Sequence, residues 1–472
     1  MVCDATRRWD IPALTLSRPS RISSSSSAWL KVNMQSADSL DATRLVSDGA
    51  KPARSAAGFG RLTILDCPST RQTFKNGPIR QSLLLPMDRL NWKSDIGQEP
   101  SIPHIDWDAL KQYAISIKCA QSQNTAHPPK CEIPPIYSMG GVHLVRLLVF
   151  EDDTKWVARI QLHQETQYSK SLLLSEKDTL SIVQEQTDIP VPRVIGYDEC
   201  QERIGRAFMI MDFIPGSTAM NAFGGPQIHG GEIPLHHKAK FHSDIAHIQA
   251  TMTSIRFPKI GMITLRANGS YDIDPIPGLG GPFETAQDYF MAWADNAKFP
   301  MGETTIRSQL PSHMADEIIL SIQEFPFRLK DAARALPLSK GPFPLHHPDF
   351  YHSNVIIDDA YNILSIIDWE GALTVPWEAV EFPAFLYTVP PPIDLPSKYD
   401  CDGYPLNPVI QNRWEERQDY IQSVKKAERQ RGLGCELSTV LASPKIQNLA
   451  TSIRLYSEDG KVGYYCRLLD TC

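Results

Sequence analysis

A chain of 472 residues with 42% hydrophobic and 21% charged content is globular in composition and too long for one ordinary core, so two or three units are expected. The net charge of −7 is uneven: residues 1–100 carry 14 Lys and Arg against 9 Asp and Glu, so an acidic body follows a basic start, which disfavours nucleic acid as a partner. No apolar run reaches the roughly 18 to 20 residues of a membrane span. Nine cysteines without a Cys-x-x-Cys pair argue against a zinc ribbon or a disulfide framework and point to a reducing compartment, the cytoplasm.

Residues 1–100 lack sustained periodicity, and most of this leader is expected to be disordered. Arg7, Arg8, Arg18, Arg21 and the run Ser23 to Ser27 resemble a mitochondrial presequence, although Asp4 and Asp10 depart from its acid-poor pattern; mitochondrial import is the alternative address. Ordered patterning starts near Ile105, where "DWDALKQYAISIK" has helical spacing. From Ser138, "SMGGVHLVRLLVFEDDTKWVARIQL" reads as a Gly-rich turn, a strand, an acidic turn from Glu151 to Thr154 and a second strand, which is a β-hairpin or meander.

The period then changes. In "SLLLSEKDTLSIVQEQT", Leu173, Glu176, Leu180 and Val183 share one helical face, and Ser175 with Asp178 offers a capping box for a helix beginning there. A carboxylate within an apolar stripe is costly unless paired, so Glu176 asks for a cation. Arg159, set among Val157, Ala158 and Ile160 in the strand Lys155 to Leu162, is the candidate, while Glu185 points to the opposite side. A surface arginine and a frayed helix start are the plainer alternative. Downstream, "RAFMIMDFIPGS" is an apolar strand from Ala207 to Ile214, stopped by Pro215-Gly216 at a lobe boundary. Beyond it the chain turns helical, with Phe241, Ile245, Ile248 and Met252 on one stripe and Thr285-x-x-Asp288 as a capping box.

The stretch "PLHHPDFYHSNVIIDDAYNILSIIDWEGA" is the chemical centre of the sequence. Val355 to Ile357 and Ile363 to Ile367 are β-branched-rich strands around the turn "DDAYN", an antiparallel hairpin. With the turn centred near Tyr361, Asn354 faces Asp368 at the open end, and Asp349, five residues earlier, reaches the same space. Two carboxylates and an amide suit Mg²⁺, a hard cation that takes oxygen ligands. Adjacent His346 and His347 do not have the spacing zinc wants, and His347 reads as a residue that holds its loop by hydrogen bonding.

His347-x-Asp349-x-x-x-x-Asn354 followed by Ile367-Asp368-Trp369 resembles the catalytic loop and metal-binding aspartate of the aminoglycoside phosphotransferase and choline kinase-like enzymes, relatives of protein kinases. The wording "PFPLHHPDF" and "IDWEGALTVPW" is similar to fungal members in particular, and the resemblance runs in order from about Ser138 to the C-terminus. It implies an α+β, protein-kinase-like bilobal fold with a small antiparallel-sheet N-lobe and a larger, mainly helical C-lobe. The expected division is a leader over 1–100, the N-lobe and hinge over 101–216, and the C-lobe with catalytic loop and acceptor site over 217–472. The resemblance further implies Asp349 as catalytic base, Asn354 and Asp368 as Mg²⁺ ligands, and Arg159 and Glu176 as the pair that steadies the ATP phosphates beside the Gly140-Gly141 turn. Backbone groups of the hinge at Met211 and Phe213 would meet adenine.

The implied reaction is Mg²⁺- and ATP-dependent transfer of a phosphoryl group to a hydroxyl of a small molecule, chemistry that needs positioning and charge neutralisation above all. No G-x-x-x-x-G-K-[ST] loop competes for the phosphates, and Gly140-Gly141 is too short for G-x-G-x-x-G. Three residues depart from the family pattern: Arg159 where protein kinases carry lysine, His143 where many relatives carry asparagine, and Pro348 in place of a glycine. The alternative is a catalytically silent pseudokinase, a nucleotide-binding or protein-interaction module whose leader and "WEERQDYIQSVKKAERQRG" segment engage a protein partner. Glu370, Glu378 and Glu381 interleaved with Trp369 and Trp377 would favour a cationic acceptor through charge and cation–π contact, against the competing reading that both tryptophans pack in the core.

Overall fold

The computed structural model describes residues 92–94, 105–121, 128–164, 166–335 and 338–470. The first layer is an antiparallel sheet of β1 (Lys93–Ser94), β2 (Cys131–Glu132), β3 (Ile136–Met139), β4 (His143–Phe150), β5 (Lys155–Gln161), β6 (Val194–Asp198) and β7 (Phe208–Asp212). The spatial order is β1-β3-β4-β5-β7-β6, with β2 pairing β4. Strand periodicity sorts its side chains. Leu144, Leu148, Trp156, Ala158, Ile160 and Phe208 pack beneath α1 (Trp107–Gln121), with Leu110 and Ala114 fully buried. The opposite face, through Val157, Met209 and Met211, takes the helix α2 (Gln167–Gln186) and its Leu173, Leu180 and Val183.

Helix α2 starts earlier than its apolar stripe suggests. Thr166 caps it by accepting the Ser169 N–H at 3.0 Å, and the Ser169 hydroxyl accepts the Thr166 N–H at 3.0 Å. Thr166-x-x-Ser169 thus replaces the capping box expected at Ser175 and Asp178, both of which are buried in mid-helix. The disorder and import expected of residues 1–100 fall, apart from 92–94, outside the described residues. Lys93 and Ser94 pair with Tyr137 and Ile136, so the sheet draws on residues before the boundary expected at 100.

After β7 the chain passes Pro215-Gly216 into β8 (Ser217–Thr218), α3 (Pro226–His229), α4 (Leu235–Met252), β9 (Arg256–Phe257), β10 (Gly261–Leu265) and β11 (Tyr271–Asp274). There follow α5 (Ala286–Asn296), α6 (Glu303–Ser308), α7 (Ser312–Ala335), β12 (Phe343–His346), β13 (Val355–Ile357), β14 (Ile363–Ile366) and β15 (Leu373–Thr374). The chain closes with α8 (Pro408–Arg431), α9 (Glu436–Ala442), α10 (Pro444–Arg454) and α11 (Tyr465–Leu469). The expected stripe on α4 is buried, and Thr285 caps α5 by accepting the Asp288 N–H at 3.1 Å. Phe290, Phe325, Tyr456 and Tyr465 centre a second core under α5 and α7.

Two small sheets thread this helical lobe, β14-β13-β8 and β11-β10-β15-β12-β9. Helix α8 lies against α4 and buries Tyr420, Ile421 and Val424 there. The apolar side of the "WEERQDYIQSVKKAERQRG" segment is therefore covered by the protein's own core. Sheet lobe, hinge and helical lobe together are the expected bilobal α+β architecture. No helix among the described residues is long and apolar enough to cross a membrane.

Candidate active site

Strand β12 delivers the chain into the loop that carries His347, Asp349 and Asn354. His347 is fully buried, its Nδ1 accepts the Asp349 N–H at 3.2 Å, and its Nε2 therefore carries the proton donated to the Ile367 carbonyl at 3.1 Å. Burial pushes its pKa down to about 4, so the ring is neutral and serves as the loop tie the sequence suggested. Asn354 donates from Nδ2 to both the Oδ2 and the backbone carbonyl of Asp349, each at 2.9 Å. Burial and the nearby Asp368 carboxylate raise the pKa of Asp349, and the Asn354 bond opposes them.

The hairpin register differs by one residue from the expected one. The Asp358 and Asn362 backbones close the turn at 3.1 Å, centring it on Ala360, and a bulge between Ile356 and Ile357 then sets Val355 opposite Ile366. Ile367, not Asp368, pairs with Asn354, through an N–H donated at 2.9 Å. Asp368 leaves the ladder with φ +65°, a left-handed conformation that aspartate tolerates better than most residues, and its carboxylate meets Arg159.

Arg159 is the hub of the site. Its Nη1 reaches both oxygens of Glu176 at 2.5 Å, and its Nη2 bonds Asp368 and lies 3.5 Å from Glu370. Burial would lower its pKa, but these three carboxylates hold it above its ordinary value. Burial raises Glu176 against the pull of Arg159, and pushes Glu370 up to about 7. The pairing inferred from two misplaced charges is thus present. His143 also faces this cleft, with Nδ1 3.8 Å from Glu370; burial, Arg159 and His163 keep its pKa well below its ordinary value, so the ring is neutral.

The turn at Gly140 and Gly141 is closed by the Gly140 N–H donating to the His143 carbonyl at 3.0 Å, and a Cβ added at Gly140 would meet nothing within 4 Å. At the hinge, Met211 lies between Val157 and Val194, and the Phe213 N–H donates to the Lys155 carbonyl at 3.3 Å. That donor therefore belongs to the sheet.

The tryptophans settle as core. Trp369 is 1% exposed and donates to the Ile366 carbonyl at 3.1 Å; Trp377 donates to Pro342 at 3.1 Å with Arg256 over its ring. Glu378 accepts from Ser339, Glu381 from the Tyr387 hydroxyl, and Glu370 belongs to Arg159. The set proposed to attract a cationic acceptor is therefore committed to packing and to the Arg159 hub.

Sequence reasoning missed a second charged group beside Asp349. Arg454 stacks 3.8 Å over Tyr387 and donates to Asp459 at 2.7 Å, while burial pushes Glu458 up to about 7, with Asp349 among the charges that add to the rise. An arginine ending an amphipathic helix reads as a C-terminal cap charge, so no local signal marked it.

The donors fit a hard cation. The Nδ2 of Asn354 is engaged by Asp349, which leaves its Oδ1 as an acceptor; with the Asp368 carboxylate it offers oxygen donors only, the kind Mg²⁺ takes.

Residues 140–377 match the phosphotransferase enzyme family. No curated protein matches the chain. Among solved structures, a candidate aminoglycoside phosphotransferase from Ralstonia eutropha is 15% identical, with 78% of this chain and 99% of that one covered and a TM-score of 0.41. A thermostable mutant of aminoglycoside phosphotransferase APH(4)-Ia, in ternary complex with AMP-PNP and hygromycin B, is 14% identical over 76% of this chain and 96% of its own, with a TM-score of 0.37. Macrolide 2'-phosphotransferase MphH from Brachybacterium faecium is 11% identical over 74% and 97%, with a TM-score of 0.34.

Proposed function

The chain belongs to the phosphotransferase enzyme family, and from that premise we propose that it transfers the γ-phosphate of ATP, with Mg²⁺, to a hydroxyl of a small molecule. The observation that carries the reading is that Asp368 bonds the guanidinium of Arg159 and its charge reaches Asp349, whose carboxylate Asn354 holds. Asp349 accepts the proton of the acceptor hydroxyl, with Asn354 holding one carboxylate oxygen and leaving the other for the proton. Arg159 presents positive charge to the phosphates and is kept in place by Glu176. Asn354 and Asp368 would hold Mg²⁺, whose charge, when bound, offsets that of the phosphates. The open space over Gly140 and the hinge from Met211 to Phe213 flank the place for the nucleotide.

Two variants separate binding from chemistry. Asp349→Ala should bind Mg-ATP as the wild type does and transfer nothing, whereas Asp368→Ala should lose the metal-dependent part of nucleotide binding as well as turnover. The acceptor is found by incubating the protein with Mg-ATP and a metabolite extract and reading new phosphorylated species by mass spectrometry. Neither nucleotide-dependent thermal stabilisation nor turnover in the wild type would end this reading. Stabilisation without turnover across a broad acceptor panel would favour the silent relative.

A further inference from the structure

Helix α2 is buried on two opposite sides. Glu176 and Asp178 stand about 200° apart around the helix axis. Glu176 turns to Arg159, while Asp178, 4% exposed, turns to the helical lobe, where its Oδ2 accepts the Leu265 N–H at 2.9 Å. Its Oδ1 sits 2.5 Å from Lys177 Nζ without hydrogen-bond alignment, so the Leu265 bond is the directional contact.

Leu265 ends β10, whose far edge pairs with β15, Gly261 opposite Thr374 and Met262 opposite Leu373. Strand β15 pairs in turn with β12, Leu345 opposite Thr374. The Thr374 hydroxyl knits the centre by accepting the Gly261 N–H at 3.0 Å and donating to the Lys259 carbonyl at 2.8 Å. Strand β12 runs directly into His347 and Asp349, and β15 begins three residues after Glu370. One small sheet therefore carries, on neighbouring strands, the anchor of α2, the exit of the Asp368 turn and the entry to the catalytic loop.

We propose that Asp178 is a positioning residue: it pins α2 to this sheet, so that Glu176 holds Arg159 at a fixed place relative to Asp349 and Asp368 before any nucleotide arrives. The proposal rests on the reading of Arg159 and Glu176 as the phosphate-steadying pair. Its structural content, a helix held from the helical lobe, can be measured without nucleotide.

The test uses the full chain with Asp178→Ala, Asp178→Asn, Leu265→Pro and Leu329→Ala. Leu329 is 1% exposed in the second core, away from α2, and its truncation lowers stability without touching the anchor. The readouts are amide hydrogen exchange over residues 167–186 in the free protein and the Kd for Mg-AMP-PNP by calorimetry well below each melting point. Asp178→Ala should speed exchange in the helix and weaken binding roughly tenfold, the scale of one buried hydrogen bond lost. Asp178→Asn retains an oxygen for Leu265 and should stay within about twofold on the same scale. Leu265→Pro removes the donor from the other side and should reproduce Asp178→Ala, which keeps the test alive if that variant does not fold.

Unchanged helix exchange in whichever of Asp178→Ala and Leu265→Pro folds, or equal effects from Leu329→Ala, would overturn the proposal. A wild type that fails to bind Mg-AMP-PNP would instead overturn the phosphotransferase reading and leave the exchange result to judge the anchor alone.

Discussion

Replacing Arg159 with alanine probes the site where its charge is densest. The guanidinium stands against Glu176 at 4% exposure, Glu370 at 17% and Asp368 at 44%. Breaking a buried pair from one side costs about 3–5 kcal/mol, and an exposed pair is worth about 0–1, so the stability loss should come from Glu176 rather than Asp368. A stranded carboxyl can also take a proton, which sets a ceiling of about 1.4 kcal/mol per pH unit above its ordinary pKa of 4.5. That ceiling is about 4 kcal/mol at pH 7.5 and about 1.4 at pH 5.5. The sign follows from proton counting. Burial already raises Glu176, loss of Arg159 raises it further, and a carboxyl whose folded pKa exceeds its unfolded one loses stability as pH climbs from the unfolded value to the folded one. Urea unfolding should therefore show the cost of Arg159→Ala growing from about 1 kcal/mol at pH 5.5 toward about 4 at pH 7.5. Adding Glu176→Gln to that variant should recover most of the loss at pH 7.5, and Glu185→Gln on the exposed face should stay within about 0.5 kcal/mol. The reasoning is refuted by an equal cost at both pH values, or by a double-mutant cycle with no coupling between positions 159 and 176.

Three further outcomes are expected. His347, with its pKa held near 4 instead of 6.5, binds fewer protons folded than unfolded, so stability should fall from pH 6.5 toward 4, with about 3 kcal/mol from this ring; His347→Gln should flatten that acid limb in melting curves, and an unaltered limb would assign it elsewhere. Gly261→Ala places a Cβ 2.3 Å from the Asp274 carbonyl oxygen and 2.7 Å from Ile273, so it should cost about 1–3 kcal/mol in denaturant titrations; a neutral result would show that β10 and β11 can part. Removing residues 1–91, which keeps the Lys93–Ser94 pairing, should leave cooperative unfolding and nucleotide binding intact, and insoluble protein would show that the leader packs on the sheet.

Legibility in the sequence tracked the range of the interactions. Alternation made β4 and β5 readable, the apolar stripe made α4 readable, and the oddity of two charges in apolar settings paired Arg159 with Glu176 across 17 residues. What failed depended on one backbone irregularity or on distant partners. The bulge at Ile356 moved Asp368 out of register, and Ser169 stood in the capping position where glutamate or glutamine is the usual signal. Strands β9 and β15 are two residues long, too short for any period, so the sheet that braces α2 left no trace. Glu378 read as a charge for the acceptor because its partner, Ser339, lies 39 residues away, whereas the core reading of Trp377 is borne out by its bond to Pro342.

The distances along the chain between Arg159 and its partners also set an order for biosynthesis. The core beneath α1 is complete once Ile210 has been made, yet Leu265 follows Asp178 by 87 residues and Asp368 follows Arg159 by 209. At about 5–20 residues per second, a ribosome takes about 10–40 s to cover the latter interval. Within that interval, from the completion of β7 at Asp212 until Ile263 and Ile273 are made, one side of α2, through Leu180 and Val183, lacks these strand residues of the core it shares with them. The nascent sheet lobe is thus a natural client for chaperones until translation passes Ile273, and a messenger with slow codons between 212 and 273 lengthens that exposure in direct proportion.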